Sequence, residues 1–284
     1  MIDQALSEIF KAKLSDRDFD RLSSFIFNEY GIKMPKVKHV MLQSRLQKRL
    51  RELRITSFKE YVDYVFSREG QDSEVIHMID VVSTNKTDFF REPGHFEFMQ
   101  NQVLPEFVQN NKYQPFKVWS AGCSSGEEPY TIAISITEFR EKNGMPEFSI
   151  YATDISSRIL KSAAEAIYKD QRIENIPLFL KKKYFLKSKD KDSGLVRVVP
   201  ELRKKVSFGR LNFMDGVYAV NDVFDLVFCR NVLIYFDRPT QEEVINKLCM
   251  KLKKGGYFFL GHSESITSMK LPLKQIKPTI FVRV

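Results

Sequence analysis

From residue 116 onward, short apolar runs alternate with amphipathic stretches of helical period, and this alternation constrains the fold more than any other feature of the chain. Candidate strands fall at residues 116–119, 149–152, 206–210, 224–229 and 257–260, and candidate helices at 93–110, 127–142, 156–164 and 240–252. Strands separated by helices predict an α/β fold with a parallel, doubly wound sheet. The ligand of such a sheet binds at the carboxyl ends of the strands, where strand order reverses. One piece interrupts the alternation. Two apolar runs, at residues 184–186 and 195–198, flank a charged turn and read as an inserted hairpin over about 183–200.

Residues 1–70 have a different texture, with few glycines and apolar residues at helical spacing, which predicts a small all-α domain. Leu42, Leu46, Leu50 and Leu53 share one helical face, with Arg45, Lys48, Arg49 and Arg51 opposite. Such a basic face is either merely solvated or a docking surface for an acidic partner. The polar stretch Gly70-Gln71-Asp72-Ser73 reads as a break before a connecting helix at 74–82. The expected division is therefore 1–70, a connecting region 71–92, and a sheet domain 93–284.

Composition narrows the function classes. No apolar run is long enough to span a bilayer, and the start of the chain lacks the pattern of a signal peptide, so a cytoplasmic protein without membrane insertion is expected. Cys123, Cys229 and Cys249 form no Cys-x-x-Cys pair and the four histidines are scattered, so no metal site is expected. The net charge of +9 is concentrated at residues 36–54 and 181–205, whose combined excess is larger than that of the whole chain. Nucleic acid, acidic protein and anionic membrane all suit a charge of that sign.

The chemistry gathers around "VWSAGCSSGEEPYTIAI", residues 118–134. Gly122-x-Ser124-x-Gly126 between a strand and a helix matches the nucleophile elbow of a serine hydrolase. It equally suits a glycine loop on which a nucleoside cofactor lies close to backbone. Asp154 or Asp225 followed by His262 keeps the hydrolase order open. Against it, Glu127 and Glu128 place two carboxylates where an oxyanion would develop, and they suit a cationic ligand instead. Asp154 ends the next strand, where an acid can accept ribose hydroxyls, although it could equally cap the following helix. The run "FDLVFCRNVLIYFD" brings Arg230 and Asn231 to a further strand end.

Five ordered segments, "STNKTDFFRE", "VWSAGCSSGEEPY", "YATDIS", "FCRNVLIYFD" and "GGYFFLGHSES", together resemble the chemotaxis receptor protein-glutamate O-methyltransferases, the CheR family. The resemblance implies a Rossmann-like class I methyltransferase sheet that binds S-adenosylmethionine and releases S-adenosylhomocysteine. It implies that Glu128 holds the methionine ammonium, Asp154 the ribose, and Asn212 with Phe213 the adenine border. By the same resemblance Gly122 lines the cofactor, Asn85 and Thr87 fold over it, and Arg91 faces its carboxylate or the incoming glutamate. Arg230 and Asn231 would close the pocket near the methyl group, with Tyr235 orienting the accepting carboxylate. Arg91, Arg230 and Tyr235 are thus the expected catalytic residues, and Arg230→Ala is expected to lose mainly turnover.

The family's substrates are glutamates on the cytoplasmic helical domains of chemoreceptors. That gives Arg45, Arg49 and Arg51 an implied role in receptor docking. Some members bind a receptor peptide on the inserted hairpin, but the charged turn "KSKDKDSG" lacks the glycine-rich character of those hairpins. A nucleic-acid methyltransferase would share the fold and the charge. The amino-methylating enzymes of that class, however, carry Asn/Asp-Pro-Pro-aromatic after the fourth strand, where this chain has Arg230-Asn231-Val232-Leu233. A non-catalytic adaptor that keeps the pocket as a cofactor sensor is the remaining alternative.

Overall fold

The computed structural model describes residues 9–111 and 113–284. The amino-terminal part is helical, with α1 (Asp16–Tyr30), α2 (His39–Leu53), α3 (Phe58–Val65) and α4 (Arg68–Val82). Ser15, Ser57 and Ser67 cap α1, α3 and α4, each hydroxyl accepting the N–H three residues on, which satisfies an orphan donor of the first turn. Leu42, Leu46 and Leu50 of α2 are fully buried against Phe19, Tyr61 and Met78, as their shared face requires.

The break expected at residues 70–73 is absent: those residues lie inside α4. Gly70 is there for close approach rather than for a turn, since a Cβ on it would meet the Tyr64 carbonyl oxygen at 1.9 Å. With Ser67 capping the helix and Val75, Met78, Ile79 and Val82 buried in the helical core, α4 is an integral part of that core.

After α5 (Pro93–Phe98), a π-helical turn at Met99–Val103 and α6 (Leu104–Asn110) occupy the stretch expected as one helix. Pro105, which lacks the N–H that would continue an α-helical ladder, stands two residues past that turn. The main sheet then builds from β1 (Phe116–Ala121), β2 (Phe148–Asp154), β6 (Val206–Arg210), β7 (Phe224–Cys229), β8 (Leu252–Leu260), β9 (Leu273–Lys277) and β10 (Ile280–Arg283). Its order is β6-β2-β1-β7-β8-β10-β9, with the first five strands parallel and β10 antiparallel to both neighbours. Helices α7 (Glu127–Asn143), α8 (Ser157–Glu165) and α11 (Arg238–Met250) are the crossovers. Residues alternate between the two faces: Phe116 and Val118 enter one core, Trp119 and Ala121 the other.

Between α8 and β6 stands a second sheet of order β3-β5-β4, made of β3 (Ile167–Lys169), β4 (Phe185–Lys187) and β5 (Leu195–Val198), with α9 (Leu178–Tyr184) inside it and α10 (Pro200–Arg203) after it. The two hairpin runs pair as expected, and β3 adds a third strand that three residues of sequence did not announce. Among the described residues no helix is long and apolar enough to cross a membrane.

The helical part is tied to the sheet at the pocket end. Asn212 donates from Nδ2 to the Glu29 carbonyl at 2.8 Å, and the Lys33 N–H donates to the Tyr235 carbonyl at 3.0 Å. Arg45 donates to the carbonyls of Val82 and Ser83, fixing the start of the segment that leads from α4 into the site.

Candidate active site

Four neighbouring strands end level with one another: β6, β2, β1 and β7 pair in register up to Arg210, Asp154, Ala121 and Cys229. The residues just past those ends, Asn212, Gly122 with Ser124, and Arg230 with Asn231, line one crevice together with Asp154, and it lies where the strand order reverses. Glu128, Phe213, Tyr235 and the covering residues Asn85, Thr87 and Arg91 line the same crevice. Tyr30, Ile32, Met34, Lys38 and Met41 of the helical part form its outer wall, a contribution that no motif signalled. The crevice holds about 1020 Å³ of empty space, its open mouth included.

The backbone of the glycine loop explains its composition. Gly122 has φ of +89°, and a Cβ there would meet Val232 Cγ2 at 2.2 Å, so only glycine fits. Ser124 and Asn231, which both line the crevice, have left-handed backbones, with φ of +50° and +59°. Conformations of that kind cost free energy and cluster at functional sites. A carboxylate holds each one in place. The Ser124 N–H donates to Asp154 Oδ2 at 2.8 Å, and the Asn231 N–H donates to Glu264 Oε2 at 3.0 Å.

Asp154 also accepts from the Ser156 N–H at 3.1 Å, so the capping and ligand readings of this residue are compatible. Burial pushes its carboxyl up, while the N–H groups of Ser156 and Ser124 pull it back down. The carboxylate keeps acceptor capacity beyond these N–H groups, which suits a ribose hydroxyl. Ser124 Oγ donates to the Asn85 carbonyl at 3.0 Å rather than to any base. Burial also pushes the Cys123 thiol well above its ordinary range. With its hydroxyl committed to a carbonyl, Ser124 has no base to activate it among the described residues, and the elbow reading fails on geometry.

Glu127 and Glu128 separate in role. Glu128 accepts from Ser120 Oγ at 2.7 Å and from Arg230 Nε at 2.7 Å. Glu127 is fully buried and turns away to Arg172, 2.6 Å distant. Arg230 is the main correction to the sequence reading. Its side chain is 2% exposed, lies over the rings of Phe96 and Phe228, and donates to the Arg91 carbonyl at 2.8 Å and to His95 Nδ1 at 3.0 Å, besides Glu128. A guanidinium so committed holds Glu128 in place and is not free to take a substrate carboxylate. Arg91 is the other arginine of the crevice; it donates to the Lys86 carbonyl at 3.1 Å and has no carboxylate partner among the described residues.

Asn212 is likewise occupied. Its amide donates to Glu29 and its Oδ1 accepts the Met214 N–H at 3.0 Å, so it borders the crevice as a strut between the two parts of the chain. Phe213 is buried against Tyr218 and Phe236 at the crevice wall.

Three residues were assigned no chemistry beforehand. Glu264 accepts four backbone N–H groups, those of Gly261, Asn231, Val232 and Leu233, at 2.7–3.0 Å, and so fixes the loop that leads to Tyr235. Burial, followed by the nearby Arg230 charge, pushes the His95 imidazole down to about 4, and the neutral ring bridges Arg230 and Thr279. Glu92, His95 and His262 bring possible ligand atoms within 4.8 Å of one another. The Arg230 guanidinium already engages two of the three, 3.4 Å from Glu92 and 3.0 Å from His95 Nδ1. Glu264, inside "GHSES", and Glu92, at the end of "STNKTDFFRE", lay in recognisable motifs, whereas His95 sits among the apolar residues of "GHFEF", which masked it.

The receptor-docking residues divide as well. Arg49 is buried in a two-pronged pair with Glu74, at 2.8 and 2.6 Å, and Tyr61 donates to the same carboxylate. Arg45 is turned toward residues 82–84. Arg51 remains exposed, beside exposed Lys48.

A seven-stranded sheet of this order with one reversed strand, a glycine loop after β1 and an acid at the end of β2 define a class I S-adenosylmethionine-dependent methyltransferase. Residues 85–282 match the CheR methyltransferase SAM binding domain, and residues 17–83 the CheR methyltransferase all-alpha domain. The chain belongs to the CheR methyltransferase family. It is 40% identical over 268 residues to a chemotaxis protein methyltransferase of Borreliella burgdorferi, covering 93% of each chain. It is 35% identical to the chemotaxis protein methyltransferase of Escherichia coli K12, over 90% of this chain and 87% of that one. With chemotaxis protein methyltransferase 2 of Pseudomonas aeruginosa it shares 34% identity, over 93% and 92% of the two chains.

Proposed function

We propose that the crevice binds S-adenosylmethionine through Asp154 and Glu128, and that the chain esterifies glutamate side chains on the cytoplasmic helical domains of chemoreceptors. The observation that carries this reading is the charge pattern of the crevice. Glu128 and Glu92 flank the single buried cation Arg230, so the group keeps one net negative charge beside the glycine loop, where an ammonium is favoured. Asp154 offers its remaining acceptor capacity to ribose on the other side of Ser124.

S-adenosylmethionine, when bound, supplies an electrophilic methyl group on a positively charged sulfur. The protein has little chemistry left to perform, because a glutamate with an ordinary pKa near 4.3 is already an anion at neutral pH and needs no base. Arg91, which has no carboxylate partner among the described residues, draws in the accepting carboxylate. Tyr235, stacked under Lys38 at 5.9 Å, borders it. Holding reactants in near-attack geometry can contribute roughly 7–11 kcal/mol. The carboxylate loses charge as the ester bond forms, so the arginine serves by orienting it, and tighter pairing would only stabilise the ground state.

Exposed Lys48 and Arg51 on α2, and not Arg49, form the basic face that would meet acidic receptor helices. The test is methyl transfer from labelled S-adenosylmethionine to a chemoreceptor cytoplasmic fragment. Label released as methanol by mild alkali supports a glutamyl ester, and alkali-stable label refutes it.

A further inference from the structure

Asn85 and Thr87 can cover a cofactor only if the segment carrying them is held down, and its bonds to the main sheet are few. The Asn85 carbonyl accepts from Ser124 Oγ, and the Phe90 N–H donates to Thr131 Oγ1 at 3.1 Å. The stronger attachments run to the inserted three-stranded sheet. Phe89 is buried edge-on against Tyr168 and Phe185, with ring centroids 5.0 and 5.4 Å apart. Arg172, in the short turn after β3, donates to the Thr87 carbonyl, to Asp88 Oδ1 at 3.1 Å and to Glu127 Oε1 at 2.6 Å. One guanidinium thus bridges the covering segment, the first residue of α7 and the inserted sheet. Tyr168 adds a bond from its hydroxyl to the Ser125 carbonyl at 2.8 Å, so the inserted sheet also braces the glycine loop.

We propose that Arg172 is a positioning residue for cofactor binding. It clamps residues 87–88 onto the crevice, so that the inserted sheet sets how tightly the cofactor is covered. Arginine suits this position because three acceptors in different directions need its planar fork, which a lysine ammonium cannot reproduce. The proposal rests on the reading that the crevice holds S-adenosylmethionine, and its test separates the two.

S-adenosylhomocysteine affinity is measured by calorimetry for wild type, Arg172→Ala, Arg172→Lys, the double variant Arg172→Ala/Glu127→Gln, and Lys183→Ala. The double variant removes the orphaned Glu127 charge, restoring stability while the clamp stays broken. Lys183 pairs the inserted sheet with Glu138 and Glu141 without touching the covering segment, so it controls for general loosening. Affinity should fall at least tenfold in both Arg172→Ala proteins and several-fold in Arg172→Lys, and stay within twofold in Lys183→Ala. Trypsin cleavage after exposed Lys86 should quicken in the Arg172 variants and be less suppressed by ligand. Wild-type binding with Arg172→Ala/Glu127→Gln within twofold of it overturns the clamp alone. Absence of binding in wild type overturns the pocket assignment and the clamp with it.

Discussion

Replacing Arg230 by methionine separates the two roles that this residue can have. The methionine keeps apolar contact with Phe96 and Phe228 but removes the cation that bonds Glu128 at 2.7 Å and lies 3.4 Å from Glu92. Both carboxylates are largely buried, with side-chain exposures of 9% and 11%. Breaking a buried pair from one side strands a charge and typically costs about 3–5 kcal/mol. Urea unfolding at neutral pH should show a loss of that order. Cofactor affinity should fall as well, since a misplaced Glu128 forfeits a charge-assisted hydrogen bond of about 1.5–3 kcal/mol, or roughly 10–100-fold in Kd. Adding Glu128→Gln should recover part of the stability and none of the affinity. A variant within 1 kcal/mol of wild type, with unchanged S-adenosylhomocysteine affinity and only turnover lost, would refute this account and return Arg230 to the substrate side.

Glu264→Gln presents an amide N–H to backbone donors that now share a carboxylate. It should lose about 2–3 kcal/mol in urea unfolding, and a change under 0.5 kcal/mol would contradict the anchoring role. His95 titrates near 4 in the folded chain against about 6.5 unfolded, so the unfolded state binds its proton more readily. Stability should therefore fall as pH drops below about 6.5, by up to about 3 kcal/mol, with the loss complete below pH 4. His95→Asn should flatten that part of the stability profile, and an unaltered slope would remove His95 as its source. Charge reversal at Lys48 and Arg51 should slow receptor methylation at low salt, with the difference shrinking toward 1 M salt, where the Debye length is about 3 Å. Equal rates at low salt would show that this face does not dock the receptor.

The sequence displayed the parallel core and most of the crevice because each expected side chain lies within a few residues of an apolar run, and parallel strands bring those ends together. Asp154 and Glu128 could be read in that way. Arg230 could not be placed, since its position in "CRNV" is the same whether its guanidinium faces solvent or, as it does, Glu128 and His95. Helical spacing put Arg49 on the polar face of α2, but α4 packs across that face and buries it against Glu74. β3 has three residues and takes its identity from pairing with β5. β9 alternates two apolar residues with lysine and glutamine, and lysine is a common edge-strand residue, while the apolar run of β10 is only three residues long. Gly70 followed by three polar residues has the composition of a loop, and only the Tyr64 backbone packed against it explains a glycine within a helix.

The central claim is that the crevice at the ends of β1, β2 and β7 is a cofactor pocket organised around Asp154. Calorimetric titration of the purified chain with S-adenosylhomocysteine, beside Asp154→Ala, tests it most directly. Saturable one-to-one binding that is lost or weakened at least tenfold in the variant is the predicted result. Equal affinity in the two proteins, or no binding to the wild type, would contradict it.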